Sequence, residues 1–190
     1  MKALEQKITA EGKIFPGHIV KVGSFLNHRL DVNFLMEMGE EIARLYKDAG
    51  ITKIITVEAS GIALAVCAAY KMNVPVVFGK KASAKNLSNN VYVAEIYSFT
   101  HKKSNFVAIS EEFLSATDKV LIVDDFLANG EAIRGLISIV KQANAQVAGC
   151  AIAIEKGFQG GGDKLREEGV RVESLAIIDE MTDNSIKFRE

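Results

Sequence analysis

Val120-Leu121-Ile122-Val123-Asp124-Asp125-Phe126-Leu127-Ala128-Asn129-Gly130 is the segment that decides the fold class of this chain. Its four leading apolar residues predict a strand that is buried on both faces, as in parallel sheets. Two adjacent carboxylates, Asp124 and Asp125, follow where that strand should end. Because ligands of open α/β sheets bind beyond the carboxyl ends of the strands, we expect both acids at a binding edge.

The turn after the two acids suits an anion. Ala128, Asn129 and Gly130 lack bulk, so their backbone N–H groups can approach a ligand closely. A helical pattern follows, and the free N–H groups and positive dipole end of a helix favour phosphate. The carboxylates repel phosphate and instead suit hydroxyls or Mg²⁺. A ligand that carries a phosphate and vicinal hydroxyls, such as ribose 5-phosphate, would satisfy both halves.

Two other interpretations of this segment compete. Receiver domains also end a strand with clustered acids, but their acid pair lies near the N-terminus and not two-thirds along the chain. Asn129-Gly130 alone is a hairpin signal. The residues after it, however, have helical spacing, which favours a strand-to-helix turn; they are Ala132, Ile133, Leu136, Ile137, Val140 and Ala143.

Composition limits the possible partners and compartment. The 190 residues fit one α/β domain with a small appendage, and a net charge of −1 gives no electrostatic case for nucleic acid or an anionic membrane. No apolar run approaches the roughly 20 residues needed to span a bilayer. The charged residues 1–6 are unlike a signal peptide. Cys67 and Cys150 lie in apolar runs, which predicts buried free thiols over a disulfide or a reactive thiol, so we expect a cytoplasmic location.

Strands and helices alternate along most of the chain, which predicts βαβ units and a mostly parallel sheet flanked by helices. Asp31 is a plausible N-cap for the helix that follows it. The predicted helices lie near 3–11, 32–49, 62–71, 130–143 and 163–168, and the predicted strands near 54–57, 74–78, 120–124, 147–154 and 170–178.

Residues 80–105 interrupt this alternation. A polar stretch without periodicity precedes two runs, 91–99 and 105–109, that are typical of paired strands around a turn. A long loop inside a compact domain is usually functional. A solvated insertion is the alternative.

A second turn at the same sheet edge could also bind phosphate. Glu58-Ala59-Ser60-Gly61 follows one predicted strand and precedes a helix, and Ser60 and Gly61 offer a hydroxyl and free N–H groups. Glu58 does not suit an anion site, so we expect its side chain to point away or toward a metal. Lys80 and Lys81 end the next strand, where a lysine could pair with pyrophosphate or simply be solvated.

Residues 120–130 resemble the diphosphate-sugar motif of the phosphoribosyltransferase family. Phe126 and Asn129 depart from its commonest pattern, since a smaller aliphatic residue and a Thr or Ser are usual there. Val-Gly-Ser-Phe-Leu-Asn-His at 22–28 and Ile-Ala-Ile-Glu-Lys-Gly-Phe at 152–158 extend the likeness, over nearly all of the chain, to the family's bacterial xanthine-specific branch.

The resemblance implies a type I phosphoribosyltransferase fold in one domain, residues 1–190. Its core would span about 31–155, and residues 1–30 and 156–190 would form a small N-/C-terminal hood over the purine. The loop within 80–105 would be a lid. Asp124 and Asp125 would be catalytic, binding the ribose hydroxyls of phosphoribosyl diphosphate (PRPP). Other PRPP contacts would come from two loops and one lysine, which comprise Ala128, Asn129, Gly130, Glu131, Ala132, Ser60, Gly61 and Lys81.

The purine contacts that the resemblance implies are Val20, Asn27, Lys156 and Phe158. Lys156 would meet the oxygen at purine C6, which disfavours adenine; a surface lysine at a strand end is the alternative. Phe158 could stack on the purine or belong to the core. His18, His28 and His101 are scattered and make no metal-ligand spacing.

The implied reaction transfers ribose 5-phosphate from PRPP to xanthine, with Mg²⁺ carried by PRPP and not held directly by the protein. The resemblance also implies a homodimer. Guanine or hypoxanthine is the nearer alternative substrate. A non-catalytic transcription regulator of the same fold is the farther one, although this chain has neither a helix-turn-helix extension nor a basic face.

Overall fold

A computed structural model describes residues 1–82, 89–98 and 103–190. Eight strands form one sheet in the order β10-β9-β8-β7-β3-β4-β6-β5, and β1 and β2 form a separate hairpin. The strands are β1 (Lys13–Phe15), β2 (Ile19–Lys21), β3 (Lys53–Val57), β4 (Val76–Ala82), β5 (Val91–Ser98), β6 (Lys103–Ser110), β7 (Lys119–Leu127), β8 (Gln146–Lys156), β9 (Val172–Met181) and β10 (Ile186–Phe188). The helices are α1 (Lys2–Glu11), α2 (Val32–Leu45), α3 (Gly61–Met72), α4 (Glu131–Gln142) and α5 (Gly161–Glu167).

The centre of the sheet is parallel, which confirms the predicted fold class. β4, β3, β7, β8 and β9 run parallel to one another, and β6, β5 and β10 are antiparallel to their neighbours. The predicted pairing of β5 with β6 is also confirmed. Residues 99–102, which hold most of their predicted turn, lie outside the described residues.

β7 carries the core on both of its faces. Leu121 and Val123 belong to one buried cluster with α1, α2 and α3. Val120 and Ile122 belong to a second cluster with α4 on the opposite face. The run of four apolar residues is therefore explained by burial from both sides, as predicted.

Asp31 caps α2, as predicted. Its Oδ1 accepts a hydrogen bond from the Phe34 backbone N–H at 3.2 Å. This bond satisfies one of the free donors in the first turn of the helix.

β7 does not end at the two acids, so the predicted end at residue 124 is wrong. The strand continues to Leu127 because β8 is also longer than predicted and pairs with it as far as Glu155. The acids therefore lie inside the strand, which fixes their backbones more firmly than a loop would.

The tail also extends the main sheet. β9 pairs with β8 over Cys150–Lys156, so the sheet does not stop at residue 155. The N-terminal segment meets this tail, because α1 contacts β9. Within the described parts of the chain, no helix has the length and apolar character needed to cross a membrane.

Candidate active site

The two predicted anion loops line one cavity of about 360 Å³. We call residues 128–132 the phosphate loop and residues 58–61 the second loop. β3 and β7 are parallel neighbours, so the loops that follow them reach the same edge of the sheet. The predicted residues in the lining are Ser60, Lys81, Asp124, Asp125, Ala128, Asn129, Gly130, Glu131 and Ala132.

The two acids are almost completely buried. Asp124 is 5% exposed and Asp125 is 6% exposed. The Asp125 backbone N–H donates to Asp124 Oδ1 at 2.9 Å. Burial, and then the negative charge of Asp125, raise the pKa of Asp124 well above its ordinary value. A positive charge that develops in this cavity would attract the Asp124 carboxylate and so counteract the cost of ionising it, and the carboxylate would in turn stabilise that positive charge.

The phosphate loop passes directly into α4. Gly130 has a φ of +90°, a left-handed conformation that glycine adopts without strain, and α4 begins at the next residue. The first N–H groups of α4 have no partners within the helix, so they are free to bind an anion. The structure therefore brings together the features that the sequence predicted for a phosphate site.

In the second loop, Glu58 also lines the cavity, so the expectation that its side chain points away from the anion site stays a prediction. Glu58 Oε1 accepts a hydrogen bond from the Lys81 backbone N–H at 2.6 Å. This bond fixes the backbone of Lys81, which lines the cavity.

Gly61 is packed against the acid pair. A Cβ at this position would lie 2.3 Å from Thr56 Oγ1 and 2.9 Å from Asp124 Oδ1. Thr56 is fully buried, and its hydroxyl has no hydrogen-bond partner among the described residues. Sequence reasoning missed Thr56, because nothing in an apolar strand marks one threonine as a neighbour of Asp124.

The predicted purine contacts lie outside the lining of this cavity. Asn27 is linked to it, since its Nδ2 donates to Asp125 Oδ2 at 3.2 Å. Lys156 Nζ donates to the His18 backbone oxygen at 3.0 Å, and burial lowers the pKa of this amine. The rings of His18 and Phe158 are 5.3 Å apart. Val20 is buried in the core, so its side chain packs with the protein interior.

The lid remains a prediction. Most of its polar stretch, residues 83–88, lies outside the described residues, as do residues 99–102. Ile96, Asn105 and Val107 of the flanking strands do line the cavity.

Comparison with known proteins identifies the family. The family model described as "Phosphoribosyl transferase domain" matches residues 29–182. The chain belongs to the phosphoribosyltransferase family. It is 48% identical to a xanthine phosphoribosyltransferase of Limosilactobacillus reuteri over 188 residues, which cover 99% of this chain and 98% of that one. It is 50% identical to a xanthine phosphoribosyltransferase of Bacillus cereus over 99% of this chain and 95% of that one.

Solved structures of the family share this fold. The adenine phosphoribosyltransferase of Giardia lamblia, complexed with 9-deazaadenine, superimposes with a TM-score of 0.77 at 22% identity. That match covers 94% of this phosphoribosyltransferase and 98% of the Giardia chain. The recognition of the family from residues 120–130 is therefore confirmed.

Gly61→Ala tests the close packing around the acid pair. The added methyl group must displace Thr56 or Asp124, and we expect phosphoribosyl transfer to slow by about a hundredfold, because small displacements at a reacting centre carry costs of this size. Steady-state turnover and circular dichroism would measure the effect on activity and on fold.

The double variant Gly61→Ala/Thr56→Ala is the matched control. Removing the Thr56 hydroxyl relieves the closer of the two contacts, so turnover should partly recover relative to Gly61→Ala, with Thr56→Ala alone as reference. Wild-type turnover in Gly61→Ala would show that this glycine is not needed next to Asp124.

Proposed function

We propose that the chain transfers ribose 5-phosphate from PRPP to xanthine and releases xanthosine 5′-monophosphate and pyrophosphate, as in purine salvage. The observation that carries this proposal is the shared cavity, where two buried acids lie between two anion loops. A purine nitrogen forms a bond to ribose C1, with inversion, while the bond from C1 to the pyrophosphate oxygen breaks. The bond electrons leave with pyrophosphate, and the proton on the purine nitrogen is released to solvent.

Each part of the cavity has a role in this step. Asp124 and Asp125 bind the ribose hydroxyls and stabilise the positive charge that the sugar ring carries in the transition state. The phosphate loop holds the 5′-phosphate through its N–H groups. Ser60, Gly61 and Lys81 hold the pyrophosphate. The lid excludes water, which would otherwise hydrolyse PRPP.

We propose that Mg²⁺ arrives with PRPP. Among the described residues, no group of three or more His, Cys, Asp or Glu side chains is arranged to hold a metal ion. We expect the ion to be coordinated mainly by diphosphate oxygens and water. When bound, the ion neutralises negative charge on the leaving group.

The choice of xanthine is supported by the names of the relatives, and Lys156 supports a 6-oxopurine over adenine. A cationic amine near purine C6 accepts an oxo group and rejects an amino group, which disfavours adenine. Asn27 offers both a donor and an acceptor to a dioxo purine. Guanine and hypoxanthine carry the same oxygen at purine C6 as xanthine and differ from it at C2. Lys156 therefore does not separate these three bases, and the contact at C2 that we assign to Asn27 would have to do so.

Turnover with PRPP and Mg²⁺ tests this proposal, with xanthine, guanine, hypoxanthine and adenine compared by pyrophosphate release. We expect xanthine to have the highest kcat/KM, and adenine to be rejected by about 10⁴-fold or more, because a site that pairs one polar group discriminates strongly against its absence. Higher kcat/KM for guanine or hypoxanthine would contradict the assignment of xanthine, and no turnover with any purine would contradict the enzyme class.

Lys156→Met, within the same assay, isolates the amine. We expect kcat/KM for xanthine to fall by about ten- to a hundredfold, because a hydrogen bond to a charged group is lost while the apolar stem remains. Unchanged kcat/KM would contradict the position assigned to the purine.

We also propose that the protein is a homodimer that acts in the cytoplasm. The compartment is supported by Cys67 and Cys150, which are buried and free. The dimer is supported by α3, where Val66 is 52% exposed and Tyr70 is 74% exposed. These residues are four apart and share one helix face, which offers apolar surface to a second copy of this chain.

Light scattering coupled to size exclusion tests the dimer. We expect the wild type at twice the chain mass of 20.7 kDa and Tyr70→Glu at the single mass. Phe113→Glu is the control, because Phe113 is 51% exposed on a different element. A wild-type protein of single mass, or a Tyr70→Glu variant that stays dimeric, would contradict this interface.

A further inference from the structure

We propose that Glu155, a residue with no assigned contact to a substrate, positions the phosphate loop through α5. This inference rests on the proposed function. Glu155 precedes Lys156 at the end of β8 and is 0% exposed. Glu155 pairs with Leu127 of β7, which is the residue directly before the phosphate loop.

The Glu155 carboxylate is bonded at both oxygens. Arg166 of α5 donates from Nη1 to Oε1 at 2.9 Å and from Nη2 to Oε2 at 2.7 Å. The Ser174 hydroxyl of β9 donates to Oε2 at 2.5 Å. A two-bond guanidinium–carboxylate pair fixes orientation as well as distance, so α5 is held in one pose against β8.

The first turn of α5 lies between this carboxylate and the phosphate loop. A Cβ on Gly162 would be 2.1 Å from Glu155 Oε1. A Cβ on Gly161 would be 2.2 Å from the Ala128 backbone oxygen and 2.8 Å from the Gly130 nitrogen. The contact therefore runs without a gap from Glu155 through two glycines to the backbone that holds the 5′-phosphate.

A second set of ion pairs also involves this helix. Arg189 contacts Asp163 of α5 at 3.1 Å and Asp179 of β9 at 2.8 Å. Arg166 also contacts Asp163 at 3.0 Å. α5 is thus tied to β8, β9 and the C-terminal segment, although it is only seven residues long.

A contribution to stability is a poor explanation for the buried ion pair between Glu155 and Arg166. Burying a carboxylate is costly, and well-packed apolar side chains are often as stabilising as a buried ion pair. What the pair adds is a fixed orientation of α5. Since the phosphate loop rests on the backbone of Gly161, that orientation sets where the loop N–H groups point.

Glu155→Gln tests the proposal, because it keeps the shape of the side chain and removes the charge. We expect the Kd for ribose 5-phosphate by calorimetry, and the KM for PRPP, to rise about tenfold, since a misplaced contact group loses binding. The KM for xanthine should change less than twofold, because Lys156 has its own bond to His18 and its own pairing on β9. Arg166→Lys should give an intermediate effect.

Glu173→Gln is the matched control, since it removes an exposed ion pair with Arg171 next to the same strand. It should leave both constants unchanged. The variant Gly161→Ala, which keeps the ion pair, should also weaken the binding of ribose 5-phosphate. In the double variant Glu155→Gln/Gly161→Ala, the Kd for ribose 5-phosphate should rise by less than the product of the two single fold-increases, because both changes act through one contact.

Three results would overturn the proposal. One is a lower melting temperature in Glu155→Gln with unchanged ribose 5-phosphate affinity, which would show a purely structural role. Another is an equal rise in the KM values for xanthine and PRPP. The third is a double variant whose Kd for ribose 5-phosphate rises by the full product of the two single fold-increases, which would show that the two changes act independently. Wild-type protein that binds ribose 5-phosphate but turns over no purine would contradict the proposed function and still allow the binding test.

Discussion

The burial of two adjacent carboxylates inside β7 is the constraint on which the rest of the site depends. Asp124 and Asp125 lie in the middle of an eight-stranded sheet, with β3 and β8 on either side of their strand. Burial makes a negative charge on Asp124 costly, and none of the ion pairs among the described residues includes either acid. A positive charge that develops on the sugar beside these acids would therefore favour their ionised form and be stabilised by it.

The parallel arrangement of β3 and β7 positions the two anion loops around these acids. The loops after β3 and β7 reach the same edge, so a phosphate at one end of a ligand and a diphosphate at the other can be bound together. Gly61 lets the second loop approach Asp124, and Gly130 turns the chain into α4. Asn27 reaches Asp125 from the N-terminal segment, which links the predicted purine site to the proposed ribose site.

The sequence predicted the parts of this arrangement that are local. A run of four apolar residues predicts a doubly buried strand, Asp31 before an amphipathic segment predicts a cap, and small residues before a helix predict an anion loop. The family resemblance added the roles of individual residues.

The parts that sequence reasoning missed depend on contacts between distant segments. β7 extends past Asp125 because β8 pairs with it there. β9 joins the main sheet by pairing with β8, and nothing in the sequence of β9 alone indicates that partner. Glu155 and Thr56 are single polar residues in apolar strands, and their partners lie on other elements. No local pattern indicates that Arg166 closes over Glu155, or that Gly61 lies against Thr56.

We infer that the burial of Asp124 lowers the stability of the protein and serves catalysis, and Asp124→Asn measures both effects. The unfolded chain releases this proton near its ordinary pKa of 3.8, whereas the folded protein holds it to higher pH. Stability is therefore lost as pH rises from 3.8 through the raised pKa, and the loss persists at neutral pH. We expect Asp124→Asn to melt at a higher temperature than wild type at pH 7, this difference to shrink toward pH 4, and kcat to fall by about a hundredfold or more. A variant that melts lower than wild type at pH 7, or that keeps a near-normal kcat, would contradict this inference.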